Sequence, residues 1–410
     1  MSRLYATIIC IGLTLIGTSV GVESKERPID LLDIGAPSFT TFTARDGVPE
    51  SVVVDVRTDS EGFAWLASPA GLSRYDGRSW TPLRDPALAG SVANLFVDST
   101  GILWASFRDL GIAHKDATGW HVENRETGLP STRYRRLSET ISADGSHELW
   151  ALSADGLLLR HGASGWVVEP GPDPQSAGGL TAIARTHLIG GQERLWLATG
   201  DNGLWYREDG RWKKHEGDGF APRQIEDLLV TGRGDDEALW VSTFGVGLWR
   251  LDAHGARSWT HASGDLHSDE LYDMAQSVLP DGERVIWIAS RAGLLRVHND
   301  RVQTSDRRLG LPSNVIRGLS VWRSPDGVDV LWLATEGGVA RTIAGASDWH
   351  TASLMGSSSN GVFGCASSRT TRVASACGSP QPRMASGSTS TAAGARSTPP
   401  TARCRPPTAG

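Results

Sequence analysis

The chain has 410 residues, 39% of them hydrophobic, and a formal charge of −6, the balance of a soluble globular protein. Residues 349–410 hold six Arg and no acid, which leaves 34 basic and 46 acidic residues before them, a net charge of −12. An acidic body excludes nucleic acid as a partner, because phosphate binding needs a basic face. With cysteines only at Cys10, Cys365, Cys377 and Cys404, it also excludes a disulfide-stapled fold or a cysteine metal site between 11 and 364.

In chain order, the first feature is a secretory pattern. Arg3 precedes an apolar run from Leu4 to about Val22, and Glu23, Lys25, Glu26 and Arg27 follow. Residues 1–24 are expected to be a signal peptide, cut after Ser19-Val20-Gly21, or an anchor if uncleaved. A periplasmic or secreted location follows.

Next, Ser38 to Thr43 has the composition of an outermost strand with no blade of its own before it. A repeat then begins. An apolar residue followed by Trp recurs at Trp65, Trp104, Trp150, Trp196, Trp240, Trp287 and Trp332, with spacings of 39, 46, 46, 44, 47 and 45. A Gly follows six or seven residues later, at Gly71, Gly111, Gly156, Gly203, Gly247, Gly293 and Gly338. Nine or more residues beyond it a second Trp stands at 80, 120, 166, 212, 259 and 349, with Val302 in the sixth repeat.

The fourth unit shows what one repeat builds. Apolar Leu180–Leu188, Leu195–Thr199, Gly203–Arg207 and Arg211–Lys214 are separated by turns at Gly190-Gly191, Gly200–Asn202 and Asp209-Gly210. Four short strands in about 45 residues form a blade that must stack on neighbours to bury its faces. The fold class predicted is therefore all-β, a β-propeller of seven four-stranded blades over 38–349, with Ser38–Thr43 closing the ring beside Val330–Arg341. The recurrent Trp residues are the packing between blades; the non-repeated Trp205, Trp249 and Trp322 are candidates for stacking on a sugar.

Gly310-Leu311-Pro312-Ser313-Asn314-Val315-Ile316-Arg317, Asp326-Gly327, Leu331-Trp332-Leu333-Ala334-Thr335 and Gly337-Gly338-Val339, with Gly128-Leu129-Pro130-Ser131 repeating the opening, resemble the two-component regulator propeller repeat. The resemblance covers about residues 38–349. It implies the extracytoplasmic sensor region of a histidine kinase, hybrid kinase or diguanylate cyclase. A small carbohydrate is the ligand it suggests.

Propellers place ligands on the loops at one end of the channel. Here the connections between the Trp strand and the Gly strand carry Arg108, Asp109, Asp155, Asp201, Asn202, Phe244, Arg291 and Glu336, which differ from blade to blade as a recognition surface does. Asp155-Gly156 and Asn202-Gly203 are also hairpin-turn pairs that geometry alone explains. A glycan-cleaving enzyme is a weaker alternative. Asp59 and Asp98 each stand six residues before a Trp, where the sialidase turn needs five, and no catalytic residue can be assigned. A scaffold that binds another protein is the remaining alternative. The histidines, His114 and His121 among them, lack metal-ligand spacing, so neither metal nor cofactor is expected.

Toward the end, Ser359-Asn360-Gly361-Val362-Phe363-Gly364 matches Ser313–Gly318, 46 residues earlier, so 350–364 reads as the start of an eighth repeat. From Cys365 the pattern stops, and 365–410 is expected to be a disordered tail. The genetic code suggests a shifted frame. Reading one base earlier makes Met384-Ala385 encode Gly, and lets Ala376-Cys377-Gly378 encode Leu-Trp 45 positions after Trp332. On this reading the chain is a truncated sensor whose later membrane span and output domain are lost, so that membrane contact rests on the N-terminal segment or on that lost part.

Overall fold

The structure, a computed structural model, describes residues 38–49, 52–172, 179–187, 193–217, 220, 224–279 and 282–344. The expected signal segment, eighth repeat and shifted-frame tail lie outside these residues.

Each repeat folds as four antiparallel strands, running outward from a central channel. Thr40–Phe42 (β1) precedes the first blade, which is Asp55–Thr58 (β2), Ala64–Ser68 (β3), Gly71–Tyr75 (β4) and Trp80–Pro82 (β5). Blade 2 is Val92–Val97 (β6), Leu103–Phe107 (β7), Ile112–Asp116 (β8) and Gly119–Glu123 (β9). Blade 3 is Tyr134–Ile141 (β10), His147–Ser153 (β11), Leu158–Gly162 (β12) and Gly165–Glu169 (β13). Blade 4 is Leu180–Thr186 (β14), Arg194–Thr199 (β15), Gly203–Glu208 (β16) and Arg211–Lys214 (β17). Blade 5 is Ile225–Thr231 (β18), Ala238–Thr243 (β19), Leu248–Asp252 (β20) and Gly255–Trp259 (β21). Blade 6 is Leu271–Val278 (β22), Arg284–Ser290 (β23), Gly293–His298 (β24) and Arg301–Ser305 (β25). Blade 7 is Ile316–Arg323 (β26), Asp329–Thr335 (β27), Gly338–Ile343 (β28) and, on its outside, β1.

The ring closes as the sequence predicts. β1 pairs with β28 in the register Thr40↔Arg341, Thr41↔Ala340 and Phe42↔Val339, and β2 lies against β26. Closure in this way covers the edge of β28 that would otherwise be open. It also explains a repeat glycine. Gly338 has φ +135°, and a Cβ there would stand 2.2 Å from the Phe42 carbonyl oxygen, so the seam requires a residue without a side chain.

The core is divided among the seven blade interfaces. Strand alternation sends Leu149 and Ala151 toward blade 2 and Trp150 and Leu152 toward blade 4. All seven repeat Trp rings are buried. In six blades the indole N–H is satisfied internally: Trp65 and Trp104 donate to Asp59 and Asp98, both at 2.8 Å, and Trp150, Trp196, Trp240 and Trp287 donate to Thr140, Thr186, Thr231 and Ser277. The Asp59 carboxylate also accepts from the backbone N–H of Glu61 and Phe63. These acids are turn and indole anchors, which accounts for their spacing without catalysis.

Across the sheet from the repeat Trp stands one column on the third strand. It is arginine in five blades, Arg74, Arg160, Arg250, Arg296 and Arg341, and Tyr206 in blade 4. Arg250 and Arg341 lie over their Trp rings at 5.7 and 5.4 Å, a cation–π contact that covers the ring face. In blade 2 the column holds His114.

Candidate functional site at the channel mouth

The innermost strands carry the site. In blades 2 to 7 the pairing of the first two strands slips near the start, by one residue at Ala93, Arg135, Thr181, Glu226 and Arg317, and across Tyr272 and Asp273 in blade 6. A β-bulge re-aims the side chain of its extra residue. Here these residues line one cavity of about 200 Å³ over the channel, together with Val54 of blade 1 and with Arg108. All seven blades therefore contribute to it. The stations are mixed in chemistry: guanidiniums at Arg135 and Arg317, a carboxylate at Glu226, a phenol at Tyr272, a hydroxyl at Thr181 and small apolar groups at Val54 and Ala93, with the Arg108 guanidinium beside them.

Beneath the bulges lies a second ring, Asp55, Asn94, Arg136, Ala182, Asp227, Asp273 and Gly318. Four of these side chains stitch their blade to the next by accepting a backbone N–H: Asp55 from Leu95, Asn94 from Leu137, Asp227 from Met274 and Asp273 from Leu319, at 2.9 to 3.0 Å. Asn94 also donates to Asp55 at 2.7 Å. At Gly318 a Cβ would stand 2.7 Å from the Val54 carbonyl oxygen, so backbone replaces the side chain there.

Two guanidiniums serve the three buried acids of this ring. Arg136 pairs with Asp227 and, at 3.4 Å, with Asp273; Arg57 pairs with Asp55 at 2.8 Å and Asp273 at 3.4 Å, and donates to the Leu319 carbonyl at 2.6 Å. Burial pushes Asp55 up to about 6 and Asp227 up to about 7, against the pull of Arg57 and Arg136 respectively. Burial opposes the charge on Asp273 as well, but it is flanked by both arginines and stays below the usual carboxylate range. The excess of one acid over the bases thus falls on Asp227 and Asp55.

The predicted loop residues are divided between the mouth and its rim. Arg108 is exposed, lines the channel cavity, and also lines a neighbouring one of about 360 Å³ with Arg133 and Arg135. Asp201 and Phe244 line a third, of about 420 Å³, with Arg135 and Glu226. Phe244 also sits 6.2 Å from the Tyr272 ring, and the Arg317 guanidinium lies 4.8 Å over the other aromatic's centre. The remaining residues are engaged in the rim itself. Asp109 accepts from the Ser91 backbone at 3.2 Å, Asp155 from Ser131 and Arg133 at 2.6 and 3.0 Å, and Asn202 from Lys214 at 2.8 Å. Arg291 pairs with Glu270 at 2.9 Å, and Glu336 with Arg317 at 2.5 Å.

Sequence reasoning missed Arg135, Glu226, Tyr272 and Arg317, which a bulge turns into the cavity, and the charged ring below. Their signal is a charged or aromatic residue 14 or 15 positions before the repeat Trp of blades 3, 5, 6 and 7. Of the non-repeated tryptophans, Trp322 lines a cavity of about 420 Å³ at the blade 7–blade 1 seam. That cavity lies at the opposite end of the strands, beside the Asp59–Phe63 turn. Trp205 and Trp249 pack against the blade interfaces.

No family model and no curated protein matches the sequence. Solved structures share the fold. The extracellular domain of the hybrid two-component system BT3049 from B. thetaiotaomicron is 18% identical with a TM-score of 0.60, over 75% of this chain and 41% of that one. The extracellular domain of the one-component system BT4673 from the same organism is 18% identical with a TM-score of 0.55, over 74% and 40%. A streptogramin B lyase is 16% identical with a TM-score of 0.54, over 75% and 98%. The chain spans about two fifths of the length of the two bacterial extracellular domains. Among the described residues, no helix is long and apolar enough to cross a membrane.

Proposed function

We propose that this propeller is the extracytoplasmic ligand-sensing part of a two-component or cyclic-dinucleotide signalling receptor, and that it holds a small carbohydrate over the channel mouth. The observation that carries the reading is the ring of six bulge residues and Val54 around one cavity, where arginine, carboxylate, phenol, hydroxyl and small apolar side chains are mixed. Repeated architecture predicts repeated residues, so a mouth in which the repeat is broken is the part of the molecule free to be specific. Phe244 offers an exposed aromatic face for the apolar side of a sugar ring, while Arg108 and the ion-paired Arg135 and Glu226 offer donors and acceptors for its hydroxyls. The likeness in fold to extracellular domains of signalling systems supports the sensing role.

The test is titration of neutral and acidic oligosaccharides into the full chain, followed by calorimetry and thermal shift. A binding sugar is expected to lose at least tenfold in affinity with Arg108→Ala and with Phe244→Ala, both exposed, with melting temperatures within the range of surface changes. Arg291→Ala, whose side chain is paired with Glu270 on the rim, is expected to leave affinity unchanged. Full affinity in both the Arg108 and Phe244 variants removes the mouth as the site.

A further inference from the structure

We propose that His114, His121 and Asp116, on the outer hairpin of blade 2, form a binding site for a divalent transition metal of the zinc class. Among the described residues, this is the one group of three His, Cys, Asp or Glu whose ligand atoms all lie within 4.8 Å of one another. Spacing along the chain conceals it, since six residues separate the two histidines. Strand register creates it. β8 and β9 pair His114 directly with His121, and Asp116, two residues along β8, falls on the same face.

The position departs from the rule of the other blades. Where five blades place an arginine against the repeat Trp, blade 2 places His114, its ring 4.7 Å from that of Trp104, and puts a second histidine opposite. An arginine covers the indole equally well, so packing does not call for a histidine pair. The two rings stack at 5.1 Å, side by side on one face of the hairpin.

The supporting contacts are those of a ligand set. Asp116 Oδ1 accepts from the Thr118 backbone N–H and hydroxyl, both at 2.7 Å, and from the Gly119 N–H at 3.2 Å. These bonds fix the carboxylate in the turn and leave Oδ2 uncommitted. His121 Nε2 hydrogen-bonds Asp116 Oδ1 at 3.1 Å and the Thr118 hydroxyl at 2.8 Å, so ring and carboxylate are held side by side, and a metal bound between them replaces these hydrogen bonds. His114 Nδ1 faces Glu123 Oε1 at 3.4 Å, placed to orient the ring as carboxylates beside metal-bound histidines do. Rotation of the exposed His121 side chain would bring the three ligand atoms together as a three-ligand site with water in the fourth position. Imidazole with a single carboxylate selects zinc, copper or nickel over calcium and magnesium.

The experiment is calorimetric titration of the full chain, with its cysteines alkylated, using zinc chloride and then magnesium and calcium chloride. One equivalent of zinc is expected to bind with a dissociation constant of about 1–10 μM, and the hard cations are expected to give no saturable heat. His121→Ala, an exposed substitution, is expected to lose that equivalent or weaken it at least thirtyfold, with an unchanged melting temperature in the absence of metal. Glu123→Gln is expected to weaken it about tenfold. Absence of saturable zinc binding overturns the proposal, as does zinc binding of unchanged stoichiometry and affinity in His121→Ala.

Discussion

Replacing Asp227 with Asn tests the electrostatics of the channel shaft. In the folded chain burial holds Asp227 near 7 and Asp55 near 6, against about 3.9 for an unfolded aspartate. Between pH 4 and 7 the native state therefore keeps protons that the unfolded state releases, so stability falls as pH rises through that window and levels off above it. Three pKa units at 1.36 kcal/mol each bound the Asp227 contribution at about 4 kcal/mol. Water reaching the shaft from the mouth lowers this, and a loss of roughly 2–4 kcal/mol between pH 5 and 8 is expected, or about 5–10 °C in melting temperature. The asparagine variant resembles the protonated wild type. One of the two N–H groups that Asp227 satisfies, those of Leu228 and Met274, keeps its acceptor and the other loses it, at a cost of about 1 kcal/mol at every pH. The variant no longer charges, and its stability is expected to change less than half as much across the window. Scanning calorimetry of both proteins at pH 5, 6, 7 and 8 gives the two slopes. A wild-type stability that is flat or rises from pH 5 to 8, or a variant slope equal to the wild type's, refutes the reasoning.

Two further outcomes check the architecture. Gly338→Ala drives a Cβ to 2.2 Å from the Phe42 carbonyl and is expected to loosen the seam, lowering the melting temperature by about 10 °C, whereas Gly145→Ala, with no atom within 4 Å of its Cβ, costs only the left-handed strain of about 1–2 kcal/mol. Asp59→Ala leaves the Trp65 indole and the Glu61 and Phe63 amides without their acceptor, and a loss of about 2–4 kcal/mol is expected in chemical denaturation, with oligosaccharide affinity unchanged.

How far the sequence discloses this molecule depends on whether a feature recurs. The repeat Trp and Gly residues recur because each blade solves one packing problem, so their period gives blade number, strand order and the pairing of Thr40–Phe42 with Val339–Arg341. The loops after the Trp strands were legible in position but not in role. The pairing of Arg291 with Glu270 and of Glu336 with Arg317 was not legible, because ion pairs between loops and inner strands leave no trace in spacing. The bulge residues were hidden for a different reason. A one-residue slip breaks the period-two alternation on which a strand is read, and so Arg135 and Tyr272 look like ordinary strand positions. The histidines were hidden by register: His114 and His121 meet only because a two-residue turn folds β9 back on β8. Aligning the repeats on their Trp and reading the column nine or ten residues later would have set His114 apart, since arginine stands there in five blades. In a repeat protein recurrence identifies what holds the ring together. Departures from it, placed in three-dimensional register, are therefore where function should be sought, and on that criterion the channel mouth and the blade 2 hairpin stand out by the same physical logic.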